Sequence, residues 1–180
     1  VEKHSTVEFK SEGDAIVLLG TDSTWDAIGG IAGSEYLELI HGKVEGQPTI
    51  DLDLEIRTQA VCREAVAAGL VASGHDVSDG GVAVAIAECA IIGDLGAVID
   101  DSLGDRWDAA MFGESQSRIL LSVSNDNVSA VEALATASNV PMKVIGTVGG
   151  DSLTFGDTLS IPLADADDSW KNGFTRATSD

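Results

Sequence analysis

Cations are what this sequence has least of for its size: ten lysines and arginines stand against thirty aspartates and glutamates, a formal net charge of −20 over 180 residues. Duplex nucleic acid and anionic membrane surfaces are bound through basic patches, so neither is an expected partner. Cysteine is nearly absent as well. Cys62 and Cys89 lie far apart, each inside an apolar helical pattern. They form no CxxC and no Cys/His cluster of metal-binding spacing, which excludes a disulfide framework and points to a reduced, cytoplasmic compartment. No apolar run approaches the roughly 18 to 20 residues that cross a bilayer, and no basic region precedes an apolar N-terminal segment. No GxSxG nucleophile elbow occurs, so no residue is assigned a catalytic role. The chain opens on Val1 and not on methionine, and its start is read as internal.

What is present is a 44% hydrophobic composition with periodic apolar segments, enough for one domain with a core. The acidity runs along the whole chain and has two readings, an ordinary acidic protein or adaptation to high salt, where counterions screen self-repulsion. The few lysines and the clusters Asp100-Asp101 and Asp165 to Asp168 favour the halophile.

Residues 1–12 read as a linker or edge strand and 13–180 as the domain proper. Ala15 to Gly20 is a continuous apolar run of strand length, as expected of a strand buried on both faces. The Gly-rich segment Asp22 to Gly33 follows, a tight turn or a weak anion cradle that matches neither GxGxxG nor GxxxxGK[ST]; Ser34 can cap a short helix through Leu39. Asp53 to Ala68 puts Leu54, Val61, Ala65 and Ala68 on one helical stripe that Gly69 stops. Leu70 to Gly74 reads as a short strand, and the run from Gly80 to Gly93 as a helix apolar on nearly every side except Glu88, which must be covered all round. Further strands are expected at Leu95 to Ile99, Ile119 to Val123 and Met142 to Val148, with a polar segment at Asp100 to Asp108. Asn125-Asp126 is expected to cap a helix facing inward with Val128, Val131, Leu134 and Ala135. A hairpin over Ser152 to Ile161 turns at Gly156-Asp157, and a last helix sets Leu163, Trp170 and Phe174 on one face. Such a count predicts an α/β (α+β layered) fold, a mixed sheet packed with helices.

Chemistry concentrates in two places. His75-Asp76-Val77-Ser78-Asp79 carries an imidazole, two carboxylates and a hydroxyl ahead of Gly80-Gly81, which let a ligand approach the backbone. Asp76 and Asp79 can hold Mg2+ through hard oxygens, and Ser78 with the N–H groups at the helix start can receive phosphates. The plainer reading is that Ser78 or Asp79 caps the helix while His75 satisfies a carbonyl. The second place is Glu114-Ser115-Gln116-Ser117-Arg118, suited to hydrogen-bonding a polar ligand, or else fixed by an Arg118–Glu114 salt bridge. Trp25, Trp107 and Trp170 are read as structural anchors, and Glu88 as a carboxylate with a partner in the core.

These motifs, in this order, resemble a known family. Gly-His-Asp-Val-Ser-Asp-Gly-Gly-Val-Ala-Val-Ala-Ile-Ala-Glu at 74–88, Gly-Ala-Val-Ile-Asp at 96–100 and Phe-Gly-Glu-Ser-Gln-Ser-Arg at 112–118 look like the C-terminal α/β domain of the aminoimidazole ribonucleotide (AIR) synthetase superfamily. Within it the similarity is to the synthetase subunits of phosphoribosylformylglycinamidine synthases; Gly-Gly-Ile-Ala-Gly-Ser-Glu-Tyr at 29–36 and Ile-Pro-Leu at 161–163 followed by Trp170 fit their last domain. Glu-Ser-Gln-Ser-Arg argues against the thiamine-monophosphate and selenide-dependent kinases of the superfamily. The resemblance implies a domain of a much longer ATP- and Mg2+-dependent ligase, inactive by itself, whose partners are the missing N-terminal domains, a glutaminase subunit and a small accessory subunit. It implies that Asp76 and Ser78, with Gly80 and Gly81, meet the Mg2+ and nucleotide of an auxiliary ATP/ADP site. Asp76 would be the metal ligand, and Glu114, Ser115 and Gln116 match a substrate-binding motif that in this copy is either used or inherited framework. A non-catalytic packing module is the alternative.

Overall fold

The computed structural model describes residues 3–21, 27–99 and 106–179. Trp25 and Asp100-Asp101 lie outside them. The central strand is β1 (Ala15–Gly20), buried along its whole length, with Ile16 and Leu18 directed to one core and Ala15, Val17 and Leu19 to the other. A strand with apolar side chains on both faces must be covered on both, so the uninterrupted run already specifies a layer of helices on each side of the sheet.

Antiparallel to β1 on one side runs β4 (Arg118–Val123) and on the other β5 (Met142–Val148). Beyond β4 the sheet ends at β2 (Ser73–Asp76); beyond β5 it continues through β3 (Ala97–Ile99), β6 (Ser152–Phe155) and β7 (Leu159–Pro162). Among the strand pairs of the described residues β3–β6 is parallel and the others are antiparallel, so the sheet is mixed, as expected. One face is covered by α3 (Leu52–Ala68) and α6 (Asn125–Ala137), the other by α4 (Gly81–Gly93) with α5 (Trp107–Phe112) and the start of α7 (Leu163–Ala177). Two short helices, α1 (Ala27–Ile31) and α2 (Glu35–His41), stand between β1 and α3.

Capping residues set several boundaries. Ser34 Oγ accepts the Leu37 N–H at the start of α2, and Asp51 Oδ1 accepts the N–H groups of Asp53 and Leu54 at 3.0 Å each at the start of α3. Gly69 ends α3 at a left-handed φ of 73°. In α3 the buried stripe is Leu54, Thr58, Val61 and Ala65, while Ala68 at the last turn is exposed.

Other expectations are corrected. Residues 70–72 are not strand; Leu70 closes the end of α3 through the Ala65 carbonyl, and β2 begins at Ser73, so His75 and Asp76 belong to a strand and not to a loop. Asn125 and Asp126 do not cap α6: Ser124 precedes it without a side-chain bond, and Asn125 Nδ2 donates instead to the Gly13 carbonyl. The cover over α4 is incomplete, because Val84 and Ile92, eight residues apart on one stripe with Glu88, are exposed. Leu163 anchors α7, but Trp170 and Phe174 are 53% and 82% exposed, since the helix runs past the body it starts on. Trp107, expected as an anchor, is 41% exposed. The N-terminal segment packs: Phe9 is buried in the α4 core, its N–H donating to Cys89, and a side chain on Gly93 would meet the Phe9 carbonyl at 2.3 Å.

Candidate functional site

Because β2 and β4 are neighbours, with Asp76 opposite Ile119, the two motifs 74–81 and 112–118 come together at one end of the sheet. They line a cleft of about 420 Å3 with α3: Asp76 from the end of β2 with Ser78 and Asp79 from the turn after it, Glu114 and Gln116 from the α5–β4 turn with Arg118 from the start of β4, and Glu55 and Gln59 one helical turn apart. Val77, between Asp76 and Ser78, points into the core, so its two neighbours are exposed together. Ser115 turns the other way, into a smaller cleft of about 90 Å3 that shares Glu114 and Gln116. The Glu55–Gln59 contribution was not read from the sequence; its only signal is the i, i+4 spacing on the polar flank of α3.

Glu114 ties the site together. Its Oε1 accepts the N–H of Gly80 at 2.8 Å and of Glu35 at 2.9 Å, and its own N–H donates to the Gly30 carbonyl at 2.6 Å. One carboxylate thus sits at the start of both α4 and α2, where unsatisfied N–H groups and the helix dipole favour negative charge. The Gly81 N–H is also engaged, by the Ser78 carbonyl, and the N-cap position of α4 is Gly80, which has no side chain to cap with. Gly81 has a φ of 72°, and a Cβ there would stand 2.6 Å from the Gly113 carbonyl, so close approach of the two turns demands glycine. Glu114→Ala is therefore expected to cost about 2 kcal/mol of stability, read from the urea midpoint, because hydrogen bonds to a charged group are worth about 1.5–3 kcal/mol and this one is half-exposed. Glu114→Gln, which keeps an acceptor oxygen, is expected to lose about half of that.

Arg118 is 3% exposed and holds the α5–β4 turn through main-chain carbonyls: Nε donates to Ser115 at 3.0 Å and Nη2 to Gly113. Among the described residues it makes no salt bridge with Glu114. Burial lowers its pKa to about 10, opposed by the nearby Glu114 charge, and among the described residues Nη1 has no partner. His75 is a supporting group: Nδ1 meets the Asp76 carbonyl at 2.6 Å and Nε2 meets Glu88 Oε2 at 3.1 Å, which gives Glu88 its expected partner. Among the described residues no three His, Cys, Asp or Glu side chains are grouped to hold a metal ion by themselves.

The family described as AIR synthase related protein, C-terminal domain, matches residues 11–157. This chain belongs to that family. A phosphoribosylformylglycinamidine synthase subunit PurL from Anaeromyxobacter sp. (strain Fw109-5) is 39% identical over 184 residues, covering 96% of this chain and 23% of that protein. The PurL of Moorella thermoacetica is 45% identical over 154 residues, covering 85% and 20%. The chain therefore spans less than a quarter of these relatives. In fold, the family member resembles T. maritima PurL complexed with ATP, with a TM-score of 0.69 at 19% identity over 91% of this chain and 27% of the other. It also resembles a thiamine-monophosphate kinase from Stenotrophomonas maltophilia, with a TM-score of 0.60 at 20% identity over 85% and 52%.

Proposed function

We propose that this chain is the last α/β domain of a longer phosphoribosylformylglycinamidine synthetase, a ligase that uses ATP and glutamine-derived ammonia on formylglycinamide ribonucleotide. Family membership and the PurL relatives support that reading. Its partners are the N-terminal domains of the same polypeptide, a glutaminase subunit and a small accessory subunit, and its place is the cytoplasm. The domain alone is inactive.

The observation that carries a nucleotide site is the convergence of both motifs on one cleft with Asp76 and Ser78 exposed at its rim. Asp76, its side chain 80% exposed, offers the hard oxygen that Mg2+ takes together with phosphate and water. Bound there, Mg2+ would offset phosphate charge against Glu55, Asp79 and Glu114, which share the cleft. Ser78 is placed to hydrogen-bond the nucleotide, and Gly80 and Gly81 shape the turn that carries both. A packing role is the second reading, favoured by Glu114, whose Oε1 is already engaged by Gly80 and Glu35; on that reading Glu114, Ser115 and Gln116 are framework. Calorimetric titration with Mg·ADP in molar salt separates the two. Saturable heat that weakens about tenfold or more in Asp76→Asn supports the site. Silence at millimolar nucleotide, both in this chain and in the chain joined to its N-terminal part, leaves only the packing role.

High-salt adaptation belongs to the same proposal. Thirty carboxylates face ten lysines and arginines, and the ion pairs of Arg106 with Asp108, Lys171 with Asp167 and Arg176 with Asp168 neutralise only a few of them. Screening the remaining repulsion should raise the melting temperature by about 10 °C or more between low and molar salt. An unchanged melt by circular dichroism would contradict it.

A further inference from the structure

Every residue from 38 to 53 is exposed, and α2 contributes no buried residue. Yet within residues 39–56 stand six large aliphatic side chains: Leu39, Ile40, Val44, Ile50, Leu52 and Ile56, between 51% and 76% exposed. Single exposed apolar side chains are ordinary, but a run of this density on one continuous segment is the mark of a surface that is covered in use. It stands out further in a chain of net charge −20.

We propose that residues 39–56 are the face on which another domain of the same polypeptide docks, closing over the cleft that holds Asp76 and Glu114. The proposal rests on the reading of this chain as part of a longer synthetase. Three observations choose that occupant. The PurL relatives are more than four-fifths covered on this chain's side but only 20–23% on their own, so most of the polypeptide lies elsewhere. The face lies wholly inside the family-wide segment 11–157, unlike the exposed Trp170 and Phe174 of α7. It is also continuous with the two clefts, whose walls include Pro48, Thr49, Asp51 and Glu55 from the same stretch. Glu45, Asp51, Asp53 and Glu55 against Lys43 give the face an acidic margin, so the complementary surface of the docking domain is apolar at its centre with basic groups around it.

The test uses the whole reading frame that contains this sequence, with cysteine placed by Ile40→Cys or Ile56→Cys and maleimide labelling followed peptide by peptide. Cys89 stays silent in the folded protein, because it is 1% exposed and burial pushes its thiol up to about 12. Labelling at both positions is expected to be at least tenfold slower than in the urea-unfolded chain, whereas the exposures of 63% and 65% in this domain alone would leave it near the unfolded rate. A smaller slowing at both sites overturns the docking face. Amide exchange in the unsubstituted long chain is the second measurement: slow exchange across 38–53 supports the proposal and loop-like exchange overturns it. If the reading frame encodes no further synthetase sequence, it is the proposed function that fails, a separate outcome read before any labelling.

Discussion

Gly20→Ala should lower stability by about 4 kcal/mol, most of the margin of a domain at the low end of the ordinary range of about 5–15 kcal/mol. Gly20 ends β1 at a φ of 105°, a conformation that alanine adopts only under strain. A Cβ placed there would lie 1.8 Å from the Ser117 carbonyl oxygen and 3.2 Å from Thr58 Cγ2. The carbonyl cannot step aside cheaply. It accepts the Thr21 N–H at 3.0 Å, and the register pairs Gly20 with Arg118, so retreat breaks the end of the β1–β4 ladder and loosens the turn that carries Glu114. Gly13→Ala is the matched control, with a φ of 86° and nothing within 4 Å of the added carbon; strain alone should cost it about 1–2 kcal/mol. Equal urea midpoints for the two variants would mean that β1 and the Ser117 turn do not approach this closely.

At Arg118 the outcome should invert the usual ranking of conservative changes. Lowering a guanidinium from its ordinary value to about 10 means that the folded state holds this proton less tightly than the unfolded state. The charge thus opposes folding at neutral pH, by about 3 kcal/mol at 1.36 kcal/mol per pK unit, and that penalty is relieved as pH rises between the folded and unfolded values. The bonds to the Ser115 and Gly113 carbonyls offset it in the native protein. Arg118→Lys keeps a buried charge, more strongly hydrated and without the planar fork, so a loss of about 3 kcal/mol is expected. Arg118→Met removes the charge and fills the space, leaving two carbonyls short of a donor, for about 1–2 kcal/mol. Chemical denaturation at neutral pH checks the order; lysine outperforming methionine would show that the guanidinium is not desolvated as described.

Much of the architecture was readable because β1 is an unbroken apolar run of strand length and α3 carries a helical stripe, with Gly69 marking the end of α3 and Ser34 the start of α2; the Asp51 cap of α3 went unread. The two site motifs were visible as residue types, but their adjacency depends on β2 pairing with β4 across more than forty residues of chain, which no local pattern encodes. The errors have local causes. Six residues of α5 make too few turns to declare a period, and the apolar run 70–72 looked like strand because a helix end closed by Leu70 has the same composition. Trp170 and Phe174 share a helical face, yet spacing says which residues align and nothing about whether a neighbour exists to bury them. Glycine type likewise says nothing of which neighbour stands close. Gly80 and Gly81 read as room for a ligand, whereas at Gly81 the space is taken by the Gly113 turn and at Gly80 the N–H belongs to Glu114.

The N-terminal residues have a consequence for anyone trimming this chain. Thr6 bridges in parallel to Ser73, its carbonyl accepts the Gly74 N–H, and Lys3 and Lys10, two of the scarce cations, reach the Ala67 and Ala72 carbonyls. These contacts shield the outer side of β2, the sheet edge beside the cleft. A chain cut at the start of the compact segment would bare that edge as a template for strand addition from another molecule. Self-association would then begin next to Asp76, and turbidity or lost ligand binding in such a shortened protein would report an unprotected edge, not a damaged site.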